Sequence, residues 1–270
     1  MEIRGIKRGI RGHDLKANSV KQIAEKCESL GIEYLQLVLE KTIPDFEKGK
    51  FSEKYAEQIK VELGDTKLAL LGSYVNLSNP DIEQLENAIN AFKEKIHYAS
   101  ILKPIVVGTE TGIYIEGKTH TEEAYQYLFK NIKELVKEAE KYNVTIGIEL
   151  VHHFVVNSPE TMNRLIDDIN SPNIKVVFDP CNLMTVENHL NQDEIINSMF
   201  DLLSDKIAVF HAKDFIIENN EIKKALPGEG LLNYKLIFDR LNPETPIIME
   251  GFDEEQVIKA FLNLEKINNK

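Results

Sequence analysis

The feature that most constrains this chain is an alternation of short apolar runs with longer amphipathic stretches, repeated along its whole length. Parallel βα units have this pattern, because a strand covered on both faces reads as a continuous apolar run while its crossover helix shows a 3.6-residue stripe. The first unit runs from Ile3–Ile10 into a helix at about Ser19–Leu30, closed by Gly31. Tyr34–Leu39 then leads to a helix near Glu53–Leu63, and Leu68–Leu71 leads past Asn79-Pro80 to a long helix from about Asp81. Ile105–Val107 precedes Glu122–Tyr142, in which Tyr125, Leu128, Ile132, Leu135, Val136 and Ala139 recur at helical spacing. Val144–Ile148 is a strand, and Ser158-Pro159 reads as an N-cap with proline in the first helical position. Val176–Phe178, Ile207–Phe210 and Ile247–Met249 are further strands, with helices expected at about Asp193–Leu203 and from about Glu254.

Eight strand candidates, each followed by a helix candidate, predict a closed (β/α)8 TIM barrel with its active site at the C-terminal ends of the strands. The 270 residues suit one such domain, spanning 1–270, since the architecture takes about 250 residues. A doubly wound open sheet is the alternative, but it would more often carry a Gly-rich phosphate loop after its first strand, and none is present. One interruption stands out. Between Phe215 and Ala225 two alternating stretches flank Asn219-Asn220, which predicts a hairpin, and Pro227-Gly228-Glu229-Gly230 follows as a tight loop. After the seventh strand, such an excursion would sit over the barrel mouth.

Four of the strands end alike. Ile146-Gly147-Ile148 runs into Glu149, Val176-Val177-Phe178 into Asp179, Val209-Phe210 into His211, and Ile247-Ile248-Met249 into Glu250. The intervals are 30, 32 and 39 residues, each close to one βα unit, with the hairpin accounting for the longest. All four positions therefore fall on the face where barrel active sites are built. Taken singly, an acid after a strand commonly caps the next helix, and a lone His is commonly a packing residue. Four such residues in consecutive units argue for a shared purpose. Three carboxylates crowded at one mouth repel each other unless neutralised, which a divalent cation does, with His211 adding a nitrogen ligand. That donor set favours Mn²⁺ or Mg²⁺, with Co²⁺ or Zn²⁺ acceptable.

The net charge of −12 disfavours nonspecific attraction to nucleic acid or an anionic membrane. Cys27 and Cys181 are the two cysteines, too few for a disulfide framework. The opening residues Met1-Glu2-Ile3-Arg4-Gly5 lack an apolar signal core, and no apolar run approaches the roughly 18 residues of a membrane span. The expectation is a cytoplasmic protein.

The runs Ile-Gly-Ile-Glu149, Phe-Asp179-Pro-Cys-Asn-Leu and His211-Ala-Lys-Asp214, the Pro-Gly-Glu-Gly loop and the Met-Glu250-Gly end resemble the xylose isomerase-like barrel family. That group includes sugar isomerases, ketose 3-epimerases, inosose and dehydroshikimate dehydratases and, more distantly, endonuclease IV. The resemblance implies one catalytic divalent metal and a small carbohydrate substrate. Metal chelation of a carbonyl and its neighbouring hydroxyl would favour loss of the proton between them. It further implies that Glu149 and Glu250 face opposite sides of the sugar carbon, one abstracting the proton and the other returning it. Related barrels form dimers or tetramers, so a homo-oligomer is an expectation from the resemblance alone.

The candidate substrate contacts are Lys213, His152, Asn182, Glu110 and His13. Arg8 and Arg11 are weak candidates for a phosphate or carboxylate, and Cys181 is expected to be a packing residue. Ketose 3-epimerases usually carry a His three residues after the strand-six Asp, an Arg six after the strand-seven His and a Glu six after the strand-five Glu. Here Asn182, Ile217 and Val155 stand there, which moves the expectation away from a standard free-ketose epimerase. Endonuclease IV draws histidines from strands three and four, where this chain has Gly72-Ser73-Tyr74 and Gly108-Thr109-Glu110. The leading expectation is thus a metal-dependent isomerase or epimerase of a sugar or sugar phosphate. A dehydratase of the inosose or dehydroshikimate type is the runner-up, ahead of a nuclease or a non-catalytic sugar-binding barrel.

Overall fold

The computed structural model describes residues 5–44 and 46–269. Eight parallel strands close into a barrel: β1 (Arg8–Arg11), β2 (Tyr34–Leu37), β3 (Lys67–Gly72), β4 (Val106–Glu110), β5 (Ile146–Glu149), β6 (Ile174–Phe178), β7 (Ile207–Ala212) and β10 (Ile247–Met249). The order around the barrel follows the chain, and β10 pairs with β1 through Arg8↔Ile247 and Ile10↔Met249. The strands β8 (Asp214–Glu218) and β9 (Glu221–Ala225) form a separate antiparallel hairpin.

The first strand starts later than its apolar run suggested, and the part of that expectation at Ile3 and Arg4 lies outside the described residues. The second ends earlier, because Leu39–Thr42 turns into a short helix, α2. The main crossover helices are α1 (Val20–Ser29), α3 (Glu53–Leu63), α4 (Ile82–Leu102), α5 (Glu122–Tyr142), α6 (Pro159–Ile169) and α7 (Gln192–Leu203), close to their expected limits. All their starts but that of α7 are marked by a side-chain cap: Ser19, Ser52, Asp81, Thr121 and Ser158 all accept a backbone N–H at their helix's first turn. Asp253 and Gln256 form a full capping box at the head of α9 (Glu254–Asn268). The helix expected after the seventh strand, to which the spacing assigns no limits, is α8 (Tyr234–Arg240), only seven residues long and preceded by a turn-rich loop. The hairpin turn forms where expected, with Asn219 and Asn220 both at positive φ (51° and 62°).

The barrel interior is plugged by Ala69, Leu70, Val106, Val177, Val209 and Ile248. A larger apolar shell fills the space between strands and helices. Small residues are required within the plug: a Cβ on Gly147 would lie 2.8–2.9 Å from Val106 and Val177, and one on Gly9 only 2.3 Å from Ile248. Side chains along a strand alternate between faces, so the inward residue two places beyond the plug is the next layer up. From Gly9, Leu70–Gly72, Gly108, Gly147, Val177, Val209 and Ile248 that step delivers Arg11, Tyr74, Glu110, Glu149, Asp179, His211 and Glu250, and the end of β2 adds Gln36. The fold therefore turns eight strand ends into one polar ring.

Candidate metal centre

Within that ring, one ligand atom each from Glu149, Asp179, His211 and Glu250 lies within 4.8 Å of all the others. His211 Nδ1 sits 3.4 Å from Glu149 Oε1 and 3.1 Å from Glu250 Oε2. Glu149, Asp179 and His211 are buried and Glu250 is half-buried. The donor set passes a direct test of fit for a divalent cation. His211 Nε2 is buried and has no partner among the described residues, while Nδ1 faces the Glu149 and Glu250 carboxylates. Orphaned buried acceptors are costly unless a further partner, such as an ion, satisfies them. Asp179 also does what a lone acid after a strand commonly does, capping the 3-10 turn Pro180–Leu183 through Asn182 N. One oxygen holds the backbone while the other points into the cluster.

Two cations brace the carboxylates. Lys213 Nζ lies 2.8 Å from Asp179 Oδ2 and 3.0 Å from Glu250 Oε1. Arg11 Nη1 donates to the same Glu250 oxygen at 2.6 Å, while its Nε and Nη2 grip Asp14 at 2.8 and 2.9 Å. Asp14 Oδ2 also accepts the amide of Gly251, at 2.6 Å. Lys213 is thus a working part of the ring and not a solvated loop lysine. Asn182 joins the two sides: its Nδ2 donates to Glu149 Oε1 at 2.7 Å, and its Oδ1 accepts from Lys213 at 3.4 Å.

The electrostatics follow from this crowding. Burial pushes the Asp179 carboxyl up to about 6, Lys213 opposing it and Glu149 adding to it. Burial works against the His211 imidazolium, but Glu149 and Glu250 together raise it to about 10. Despite burial, Glu250 is held well below the usual carboxylate range by His211, Lys213 and Arg11. Burial, then the charge of Glu149, push Glu110 up to about 7. In register Glu110 stands directly beside Glu149. It does not start a helix, since α5 begins at Glu122.

The remaining candidates sort by distance from the ring. His13 is half-buried, its imidazolium disfavoured by burial and by Arg11, and its Nδ1 has no partner among the described residues. His152 is exposed in the loop after β5, its ring against His153, and it touches the site through its backbone N–H, which donates to the Asn182 carbonyl at 2.9 Å. Arg8 lies elsewhere, paired with Glu265 on α9 at 2.6 Å. Cys181 is a packing residue: burial, then the charge of Asp179, hold its thiol well above the normal range. Val155 is buried and Ile217 lies on the hairpin, so neither offers a polar group where ketose 3-epimerases carry one. Arg11 was undervalued in the sequence, and Gln36 and Tyr74 were not singled out. The inward alternation of the first three strands was the signal for all of them.

The hairpin meets the site from the outside. Lys224 bonds the carbonyl of Gly251 and lies 3.7 Å over the Phe252 ring, anchoring β9 beside Glu250.

The fold and site define a closed (β/α)8 barrel whose C-terminal mouth carries a carboxylate–imidazole cluster that could hold a metal ion. The chain belongs to the xylose isomerase-like TIM barrel family, whose model matches residues 24–267. It is 23% identical to an inosose isomerase of Bacillus velezensis over 228 residues, which cover 81% of this chain and 77% of that protein. The crystal structure of the IOLI protein with a bound zinc atom superposes with a TM-score of 0.76 at 20% identity, covering 97% of this chain and 96% of that one. A D-tagatose 3-epimerase-like protein gives 0.77 at 19% identity, covering 98% and 97%.

Proposed function

We propose that this protein is a divalent-metal-dependent isomerase or epimerase of a polyhydroxy carbonyl compound, a sugar or cyclitol, with residues 1–270 forming one catalytic domain. The observation that carries the reading is the cluster itself: Glu149, Asp179, His211 and Glu250 offer one ligand atom each within 4.8 Å, with the buried His211 Nε2 lacking a partner among the described residues. The inosose isomerase relative and the epimerase-like neighbour support it, as does the zinc in the IOLI structure. Mn²⁺ or Mg²⁺ suits three carboxylates and one imidazole, and Zn²⁺ is acceptable.

When bound, such an ion supplies Lewis acidity that polarises a substrate carbonyl and acidifies the neighbouring C–H. The chain's own residues do the rest. Glu149 Oε1 accepts from the neutral Asn182 amide and lies 3.4 Å from His211, whereas Glu250 Oε1 is held by two cations. Glu149 would take the proton, and Glu250 would face the opposite side of the carbon and return one. Lys213 would hold a substrate oxygen, with Asn182 keeping its ammonium aimed inward.

A dehydratase is the second reading, favoured by Glu110. Its carboxyl, pushed up to about 7 beside Glu149, could give a proton to a departing hydroxyl. One screen separates the two: ketoses, their phosphates and inososes incubated in D2O with Mn²⁺, followed by proton NMR. Solvent exchange without loss of water marks the isomerase or epimerase, exchange with loss of water the dehydratase. Exchange that persists unchanged in Glu149→Gln would sink both.

A further inference from the structure

We infer that the site takes an uncharged, unphosphorylated polyhydroxy compound, because the amide nest after the seventh strand is already filled by one of the barrel's own carboxylates and Arg11 and Lys213 of the ring are already paired. The inference rests on the reading of the site as a sugar-converting centre and narrows its substrate class.

In (β/α)8 barrels, phosphate groups are commonly held by backbone amides of the loops after the last two strands. After β7, four such amides do converge, but on Asp214. Its Oδ1 accepts from Phe215 N at 2.8 Å and Leu232 N at 3.0 Å, and its Oδ2 from Gly228 N at 2.9 Å and Gly230 N at 3.0 Å. Asp214 is buried, 2% exposed, and the Pro-Gly-Glu-Gly loop is wrapped so closely that a Cβ on Gly230 would lie 2.2 Å from its Oδ1. This is an anion nest with the anion built in. After β10 two amides are likewise taken: Gly251 N by Asp14, and Gln256 N in the first turn of α9 by Asp253.

The cations of the ring are equally committed. Arg11 pairs with Asp14 and Glu250, and Lys213 with Asp179 and Glu250, which leaves the Lys213 ammonium a donor to a neutral substrate oxygen but not an unmatched charge. With the three cluster carboxylates and Asp14 present, a phosphate dianion would meet no uncompensated positive charge from a divalent ion, Lys213 or Arg11. By contrast, the polar atoms left over on the β1–β3 side are neutral. Gln36 is 1% exposed and spends its amide N–H on the Tyr74 hydroxyl at 2.8 Å, leaving Oε1 without a partner. His13 Nδ1 is also unpartnered. Such mixed neutral donors and acceptors suit hydroxyl groups, each of which both gives and takes a hydrogen bond.

The test uses the full chain in two arms. In the first, solvent exchange in D2O with Mn²⁺ is compared for free ketoses and inososes against their phosphate monoesters. The expected result is exchange in an uncharged compound, with kcat/KM for its phosphate lower by about tenfold or more. A phosphate ester processed faster than its parent overturns the inference. In the second arm, inorganic phosphate is titrated against the protein in EDTA while the melting temperature is followed. No shift is expected for the unaltered chain, and a rise of about 3 °C or more would overturn the inference. Asp214→Gly, which empties the nest, should be stabilised by formate where the unaltered chain is not. If that variant does not fold, the two arms on the unaltered chain still decide. If no compound of either kind exchanges, the sugar-converting reading fails, while the phosphate titration still answers whether an anion site is open.

Discussion

Arg11 Nη1 lies 2.6 Å from Glu250 Oε1, tying the end of the first barrel strand to the end of the last. The rest of the guanidinium is held by Asp14, which in turn holds the amide of Gly251, so Glu250 is gripped through both its side chain and the peptide that follows it. The grip occupies Oε1 and leaves Oε2 facing His211. Groups that orient a ligand in this way commonly contribute 10–100-fold, on the order of magnitude seen for outer partners of metal ligands. Arg11→Met should therefore weaken Mn²⁺ or Zn²⁺ binding by roughly that factor, and Arg11→Lys should recover only part of it, lacking the planar fork. Calorimetric titration of the three proteins checks this, and equal affinities would show that Glu250 needs no such support.

Removing the ligands should remove the ion. Glu149→Gln combined with Asp179→Asn is expected to abolish stoichiometric metal by elemental analysis and to erase any metal-dependent rise in melting temperature. Retained metal together with unchanged exchange activity would place the site elsewhere.

Metal uptake should release protons. Without an ion, the His211 imidazolium is raised to about 10 by Glu149 and Glu250, so the ring is protonated at neutral pH, whereas a metal ligand must be neutral. The sign follows: apparent affinity rises with pH between about 6 and 9 as the competing proton is lost, and falls on acidification. Titrations in buffers of different ionisation enthalpy, such as Tris and HEPES, would count close to one proton released. A pH-independent affinity would contradict the picture.

The two carboxylates proposed to move the proton should not be equivalent. Glu149→Gln is expected to cut solvent exchange at the substrate carbon by roughly 10²–10⁴-fold, the usual worth of a general base. Glu250→Gln should retain more of that first exchange step while losing net conversion. Comparing exchange with product formation for each variant separates the roles.

Away from the mouth, Lys95 is 1% exposed, with Nζ 2.5 Å from Glu40 Oε1, 3.6 Å from Glu94 Oε2 and 4.8 Å over the Phe46 ring. Lys95→Ala leaves two poorly solvated carboxylates without their cation and should destabilise the fold by about 3–5 kcal/mol in urea denaturation. Adding Glu40→Gln should recover part of that loss.

Much of this was legible in the sequence because it is local. Glu53–Leu63 and Glu122–Tyr142 announce themselves through spacing and through Ser52 and Thr121 as caps, and Asn219-Asn220 through the positive φ that Asn tolerates. Glu149, Asp179, His211 and Glu250 stand out because each interrupts an apolar strand at its end, where a barrel gathers such positions. Polar groups that make no pattern of their own were decided only by closure of the barrel. Arg11 and Glu250 are 239 residues apart and meet because β1 pairs with β10. Asn182, read as a missing histidine, became the link between Glu149 and Lys213. Asp214, read as part of a motif, proved to fill the amide nest of a loop fourteen to eighteen residues downstream. Periodicity and capping act over one or two turns and can be read along the chain. Which cation faces which carboxylate, and which amides stay free, depends on strand register and loop closure, and those exist only once the barrel is shut.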